Sequence, residues 1–222
     1  MTATLPLFPL GSVLYPGLVL PLHIFEERYR QLVADLLAGP EPRQFGVIAI
    51  RRGRETGVDG VTDLYRTGCT AELRQVERYA DGRFDLITVG AQRFRLLGLA
   101  EAAPYLRGEV KLLPEGPGDE AEAAVAVPAV QQAFRAYLDL LSERGGAQIS
   151  VPSLPDEPVL LSYLVAAAVV VDLPLKQSLL DQPDAHRRLA AERALLGRET
   201  RMLRSLTAAP APDLRYSPYS QN

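Results

Sequence analysis

The side chains able to do acid–base or covalent chemistry are few in this sequence. The lysines are Lys111 and Lys176, the histidines His23 and His186, and the single cysteine Cys69. A serine–lysine dyad would need Lys176 with its neighbour Ser178. Positions two apart on a helix point in different directions, so the spacing does not make a dyad and Lys176 reads as solvated. A zinc site takes three or four His, Cys or carboxylate ligands, and no such cluster is spaced along the chain, so no metal is expected. Glu26 and Glu27 diverge by about 100° on a helix and make poor acid–base partners. They suit the start of a helix, where the dipole favours negative charge. No Gly-x-x-x-x-Gly-Lys-Ser/Thr phosphate cradle and no Gly-x-Ser-x-Gly nucleophile elbow occurs, so neither nucleotide hydrolysis nor hydrolase chemistry of those types is encoded here, and no cofactor is implied.

The other residues with chemical reach are arginines. Arg51, Arg52 and Arg54 form a compact basic loop whose guanidinium forks match phosphate or carboxylate. No aromatic residues interleave with them as a single-strand nucleic-acid platform would require, so a solvated loop is the expectation and an anion-binding loop the alternative. The last predicted helix carries Arg187, Arg188, Arg193, Arg198, Arg201 and Arg204 against Glu192 and Glu199, which reads as an exposed amphipathic face. The net charge of −3 and pI of about 5.5 supply no global attraction to nucleic acid or anionic membrane. One cysteine excludes an internal disulfide and fits a reduced, cytoplasmic setting. The amino terminus lacks the basic and apolar regions of a signal peptide. The most apolar stretch, residues 159–171, is shorter than the roughly 20 residues of a membrane helix.

These residues need elements to position them. Residues 5–10 and 19–22 are apolar pieces broken by Pro6, Pro9 and Pro21, hence edge or bent strands, with Tyr15-Pro16-Gly17 as a turn between them. A helix is predicted over residues 24–38, with Phe25, Tyr29, Leu32, Val33, Leu36 and Leu37 as its apolar stripe and Gly39-Pro40 ending it. Residues 45–50 read as a buried strand. Cys69, Ala71 and Leu73 alternate with polar neighbours, and the phase changes at Gln75-Val76, which predicts a bulge. Asp81-Gly82 predicts a hairpin into a strand over residues 83–89. Strands over 92–99 and 106–113 complete a small closed or half-closed barrel. The segment from Pro114 to Asp119 is linker-like, and the rest reads as helical. A helix to about Ser142 carries Val127, Val130, Phe134, Leu138 and Leu141 on one face, with Pro128 tolerable in a first turn or at a kink. Residues 159–171 and 175–180 form further helices, and Asp184 caps a last one to about Leu206. The Pro-, Ser- and Tyr-rich tail is expected to be disordered. The organisation is therefore a β unit over 1–115, a helical unit over 120–206 and a tail over 207–222.

The segment Leu5-Pro-Leu-Phe-Pro-Leu-Gly-Ser-Val-Leu-Tyr-Pro-Gly-Leu-Val-Leu-Pro-Leu-His-Ile-Phe-Glu-Glu-Arg-Tyr resembles the opening of the amino-terminal domains of Lon proteases. Ile24-Phe25-Glu26-x-Arg28-Tyr29 is typical of the small stand-alone members of that family. Phe45-Gly46-Val47, Gly68-Cys69-Thr70-Ala71, Asp81-Gly82-Arg83 and Gly90-Ala-Gln-Arg93-Phe94-Arg95-Leu96 follow in the family's order. The resemblance implies an α+β fold: a PUA-like pseudo-barrel with one helix, followed by a carboxy-terminal helical bundle. It also implies a non-catalytic role in recognising protein substrates, because the ATPase and Ser–Lys peptidase parts of full Lon proteases have no counterpart in these residues.

Three functions are weighed. The leading one is a cytoplasmic module that binds unfolded polypeptide or a protein partner at an apolar groove along the proline-broken strand edge, where an extended chain can add a strand. Its site is expected to involve Phe8, an exposed Tyr15 and Pro16, with Arg28 near the rim. RNA binding, open to PUA-like folds, would require Arg51, Arg52 and Arg54 to converge with Arg28 or Arg30. A stand-alone peptidase would require a nucleophile–base arrangement that the sequence does not display.

Overall fold

The computed structural model describes residues 2–53, 61–100, 104–145 and 153–208. Arg54, and the expected tail from residue 209 onward, lie outside the described residues. In chain order the elements are β1 (Thr2–Leu10), β2 (Val19–Ile24), α1 (Glu27–Ala38), β3 (Gln44–Gly53), β4 (Val61–Leu64), β5 (Thr67–Arg78), β6 (Phe84–Ala100) and β7 (Arg107–Leu112). Four helices follow: α2 (Glu120–Gly145), α3 (Pro158–Ala168), α4 (Leu173–Leu180) and α5 (Ala185–Ala208). The expected α+β class and its order, barrel then bundle, both hold.

The barrel closes because β1 changes partner midway. Residues 2–6 run antiparallel to β7, and residues 7–10 run parallel to β3. This joins β1, β7, β6, β5 and β3 into a ring, with β2 attached to β6 and β4 to β3. Among the described residues each half of β1 has a strand partner on one side only. That arrangement tolerates Pro6 and Pro9, which have no N–H to give a second neighbour.

Several local expectations change in detail. The two strands predicted on either side of Gly90 are one strand, β6, which serves different neighbours along its length. Its first part lies between β2 and β5, and its last part pairs with β7. The bulge predicted near Gln75 is present as a register shift between Leu73 and Gln75. In the β5–β6 hairpin only Gly82 takes a positive φ, of 87°. Asp81 instead stabilises the turn through its side chain, which accepts from the Arg83 backbone N–H at 3.1 Å. Helix α1 starts at Glu27 rather than Ile24, because Ile24 is the last residue of β2. Phe25 therefore leaves the apolar stripe to which its spacing assigned it.

The bundle follows its predicted faces. Val127, Val130, Phe134 and Leu138 of α2 are buried. Pro128 lies well inside α2, beyond the first turn, yet it is exposed, as is Ala124, whose carbonyl loses its helical partner. Solvent can satisfy that carbonyl. Asp184 caps α5 as expected, accepting from the Arg187 N–H at 2.8 Å. Among the described residues no helix is long and apolar enough to cross a membrane.

Candidate functional site

The turn after β1 was expected to present Tyr15 to solvent, and the structure does the reverse. Tyr15 is 1 % exposed and packs within the core of the helical bundle. The cause is the close approach of this turn to β6. Gly17 donates to the Gly90 carbonyl and Gly90 to the Leu18 carbonyl, both at 2.8 Å. A Cβ on Gly90 would lie 2.2 Å from the Tyr15 carbonyl oxygen, so only glycine allows the contact. Clamped there, the turn drives the Tyr15 ring into the bundle, where its hydroxyl donates to the Lys176 carbonyl at 2.8 Å. Burial pushes the Tyr15 hydroxyl pKa up. Pro16 is buried with it. Neither residue is available to a partner.

The other half of the expected site is brought together. Phe8 packs against Tyr29 with ring centroids 4.2 Å apart and the rings tilted by 33°, and the Arg28 guanidinium lies 4.6 Å from the centroid of the Tyr29 ring. Arg28 also pairs with Glu26 at 2.9 Å. Phe8 is buried, as core packing required, yet its residue still forms part of a surface groove of about 200 Å³. That groove lies between residues 8–10 of β1 and residues 21–25, with Glu26 and Tyr29 at one end. Among the described residues β2 pairs with β6 alone, and residues 7–10 of β1 pair with β3 alone. The walls of the groove are thus two strand edges without strand partners on the facing sides. Phe25, 54 % exposed, stands at this groove and is the residue the sequence reading missed. Its helical spacing hid it, because periodicity does not reveal that β2 runs on to Ile24.

A polar cluster borders the same place. His23 Nδ1 lies 2.5 Å from Asp85 Oδ1, and the Tyr79 hydroxyl donates to Asp85 Oδ2 at 2.6 Å. Hydrogen bonds from Tyr79 and then His23 hold the Asp85 carboxyl below its ordinary range, and the same Asp85 raises the Tyr79 hydroxyl. His23 therefore sits beside a carboxylate that stays ionised.

The remaining candidates for chemistry are occupied structurally. Lys176, expected to be solvated, is half-buried and donates to the Ala166 and Ala167 carbonyls at 2.7 and 2.5 Å, closing the end of α3. Burial holds its pKa down to about 8. Ser178 donates to Leu175 O instead of to Lys176. Cys69 is buried in the barrel core, and burial raises its thiol pKa, so it is not an activated nucleophile. Among the described residues no group of three or more His, Cys, Asp or Glu is placed to hold a metal.

Arg188 departs most from the expected exposed face of α5. It is fully buried, 3.9 Å from the centroid of the Tyr163 ring, and donates to Ser162 Oγ, Tyr163 Oη and Leu179 O. The Tyr163 hydroxyl in turn bonds Glu115, which pairs with the buried Arg93 at 2.6 Å. Arg93 belongs to β6, Glu115 to the connection after β7, Tyr163 to α3 and Arg188 to α5. This chain of groups ties the barrel to the bundle.

Arg51 and Arg52 are exposed on β3, and Arg51 pairs with Asp63. The arginines that share a groove with Arg51 are Arg66 and Arg95. Arg28 and Arg30 are on α1 and pair with Glu26 and Glu27.

A closed barrel with an open groove between strand edges is thus locked to a helical bundle through buried arginines. The family described as the ATP-dependent protease La (LON) substrate-binding domain matches residues 4–198, and the chain belongs to that family. Lon protease of Anaeromyxobacter dehalogenans is 28 % identical over 204 residues, covering 91 % of this chain and 24 % of the relative. The chain thus spans about a quarter of that relative's length. The crystal structure of a Lon N-terminal domain protein from Xanthomonas campestris is similar at TM-score 0.57 and 27 % identity, covering 88 % of this chain and 98 % of that one. The N-terminal domain of Mycobacterium avium complex Lon protease shares the fold at TM-score 0.59 and 19 % identity, over 90 % of this chain and 98 % of that one.

Proposed function

We propose that this chain is a non-catalytic, cytoplasmic polypeptide-binding module, made of a barrel unit over residues 1–115 and a helical unit over 120–206. It takes an extended apolar segment into the groove between β1 and β2. The observation that carries this reading is the pair of facing strand edges that have no strand partner there among the described residues, walled by Phe8, Leu10, Leu22 and the exposed Phe25. An inserted chain would gain backbone hydrogen bonds from the edges and bury its alternate side chains on these residues. Backbone pairing carries little sequence preference, which suits unfolded substrates.

Fluorescence anisotropy with a labelled unfolded peptide and a labelled RNA, each at low and high salt, tests the reading. Peptide affinity is expected to persist in high salt, because apolar burial is not screened as surface charge is. Phe25→Ala is expected to weaken it at least about fivefold, the loss of one central aromatic contact. Binding of RNA alone, with an affinity that collapses as counterions are released, would overturn the proposal. So would full peptide affinity in Phe25→Ala.

A further inference from the structure

A groove of about 740 Å³ lies elsewhere, between β4 and the end of β6. It arises because β6 outruns β5. Thr67, the first residue of β5, pairs with Arg95, while β6 continues along β7 as far as Ala100. Leu96 still donates to Arg66 O at 2.7 Å. Beyond that bond, residues 97–100 have no strand partner on the β5 side among the described residues. Across the gap β4 pairs with β3 alone. The groove again lies between unpaired strand edges, but its chemistry differs from that of the β1–β2 groove.

Leu97 and Leu99, 47 % and 56 % exposed, give it an apolar strip. Arg51, Arg66 and Arg95 line it against Asp63 and Asp181. Arg51 and Asp63 neutralise one another. Neither Arg66 nor Arg95 has a carboxylate within ion-pair distance among the described residues, so the lining retains positive charge beside exposed leucine.

We propose that this groove is a second polypeptide site, and that its ligand is an extended segment alternating leucine-like and acidic residues. Side chains of a strand alternate between its two faces, so such a segment added to the free edge of β6 would set its apolar residues against Leu97 and Leu99. Its carboxylates would meet the planar forks of Arg66 and Arg95. Nucleic acid fits less well. Asp181 would face its phosphates, and Tyr65 is the one aromatic residue of the lining, too few for a stacking series. The inference goes beyond the β1–β2 reading and stands without it, since the two grooves share no lining residue.

The full chain is titrated by anisotropy with three labelled probes: a short Leu/Glu alternating peptide, its Leu/Lys counterpart and a single-stranded RNA. The Leu/Glu peptide is expected to bind at least about tenfold more tightly than the Leu/Lys peptide. The double variant Arg66→Glu, Arg95→Glu is expected to reverse that preference. In the unaltered protein the methyl resonances of Leu97 and Leu99 are expected to shift on adding the Leu/Glu peptide, a readout independent of how the variant folds. Equal affinity for the two peptides, absence of saturable binding, unmoved Leu97 and Leu99 methyls, or tighter binding of RNA than of the Leu/Glu peptide would each overturn the proposal.

Discussion

Replacing Arg93 by alanine is expected to destabilise the fold by about 2–4 kcal/mol, chiefly because several carbonyls at the junction lose their donor, while the partly exposed Glu115 loses its ion-pair partner. Arg93 is 1 % exposed. Its guanidinium donates to Glu115 at 2.6 Å, Leu180 O at 2.8 Å, Pro183 O at 3.1 Å, Pro114 O at 3.3 Å and also to Gln182 O. Removing it leaves a carboxylate and several carbonyls without that donor where the barrel meets the end of α4. Arg93→Lys keeps the charge but cannot span this fan of acceptors from one point, so most of the loss is expected to remain. The urea midpoint of each variant measures the effect. A loss below about 1 kcal/mol for Arg93→Ala would mean that the junction does not bind the two halves as described.

Glu192 is expected to lower stability at neutral pH rather than raise it. It is fully buried on α5, and neither carboxylate oxygen has a hydrogen-bond partner among the described residues. Arg188, one turn earlier, is engaged by Ser162, Tyr163 and Leu179. Burial pushes the Glu192 carboxyl well above its usual range, and attraction to Arg188 only partly opposes it. The sign follows from proton linkage. Between the unfolded and the raised folded pKa, the folded state holds more protons than the unfolded chain, so stability falls as pH rises across that interval. Its contribution is fully favourable below the ordinary glutamate range and is lost as pH climbs through the folded value. Glu192→Gln, which stays neutral, should therefore gain on the wild type with rising pH, reaching about 1–3 kcal/mol by pH 8. Denaturant midpoints of both proteins at pH 5 and pH 8 check this. A difference that does not change with pH would show that Glu192 keeps one protonation state throughout.

Much of the barrel was legible because its signals are local. Asp81-Gly82 marked the hairpin, the phase change at Gln75 marked the bulge, and the prolines of β1 marked a strand without partners on both sides. The bundle faces followed from the spacing of Val127, Val130, Phe134 and Leu138. Residues whose fate depends on contacts across the chain were misread. Tyr15 beside Pro-Gly looks exposed until Gly90 of β6 is placed beneath it. Arg188 shares a polar-looking helix with exposed arginines, and it is buried by the docking of α3 and the end of α4. Phe25 kept helical spacing with α1 although it belongs to the connection after β2. The groove itself could be expected only in outline, because it depends on which strand edges remain unpaired once the barrel closes.

Strand addition makes a direct demand on the amides of β2. Hydrogen exchange resolved along the chain, with and without a saturating unfolded polypeptide rich in apolar residues and free of acidic ones, reads that demand. Slowed exchange over Val19–Ile24, with Arg51 and Arg52 unchanged, is the expected result. Saturable binding that leaves Val19–Ile24 exchanging at the free rate would contradict the account.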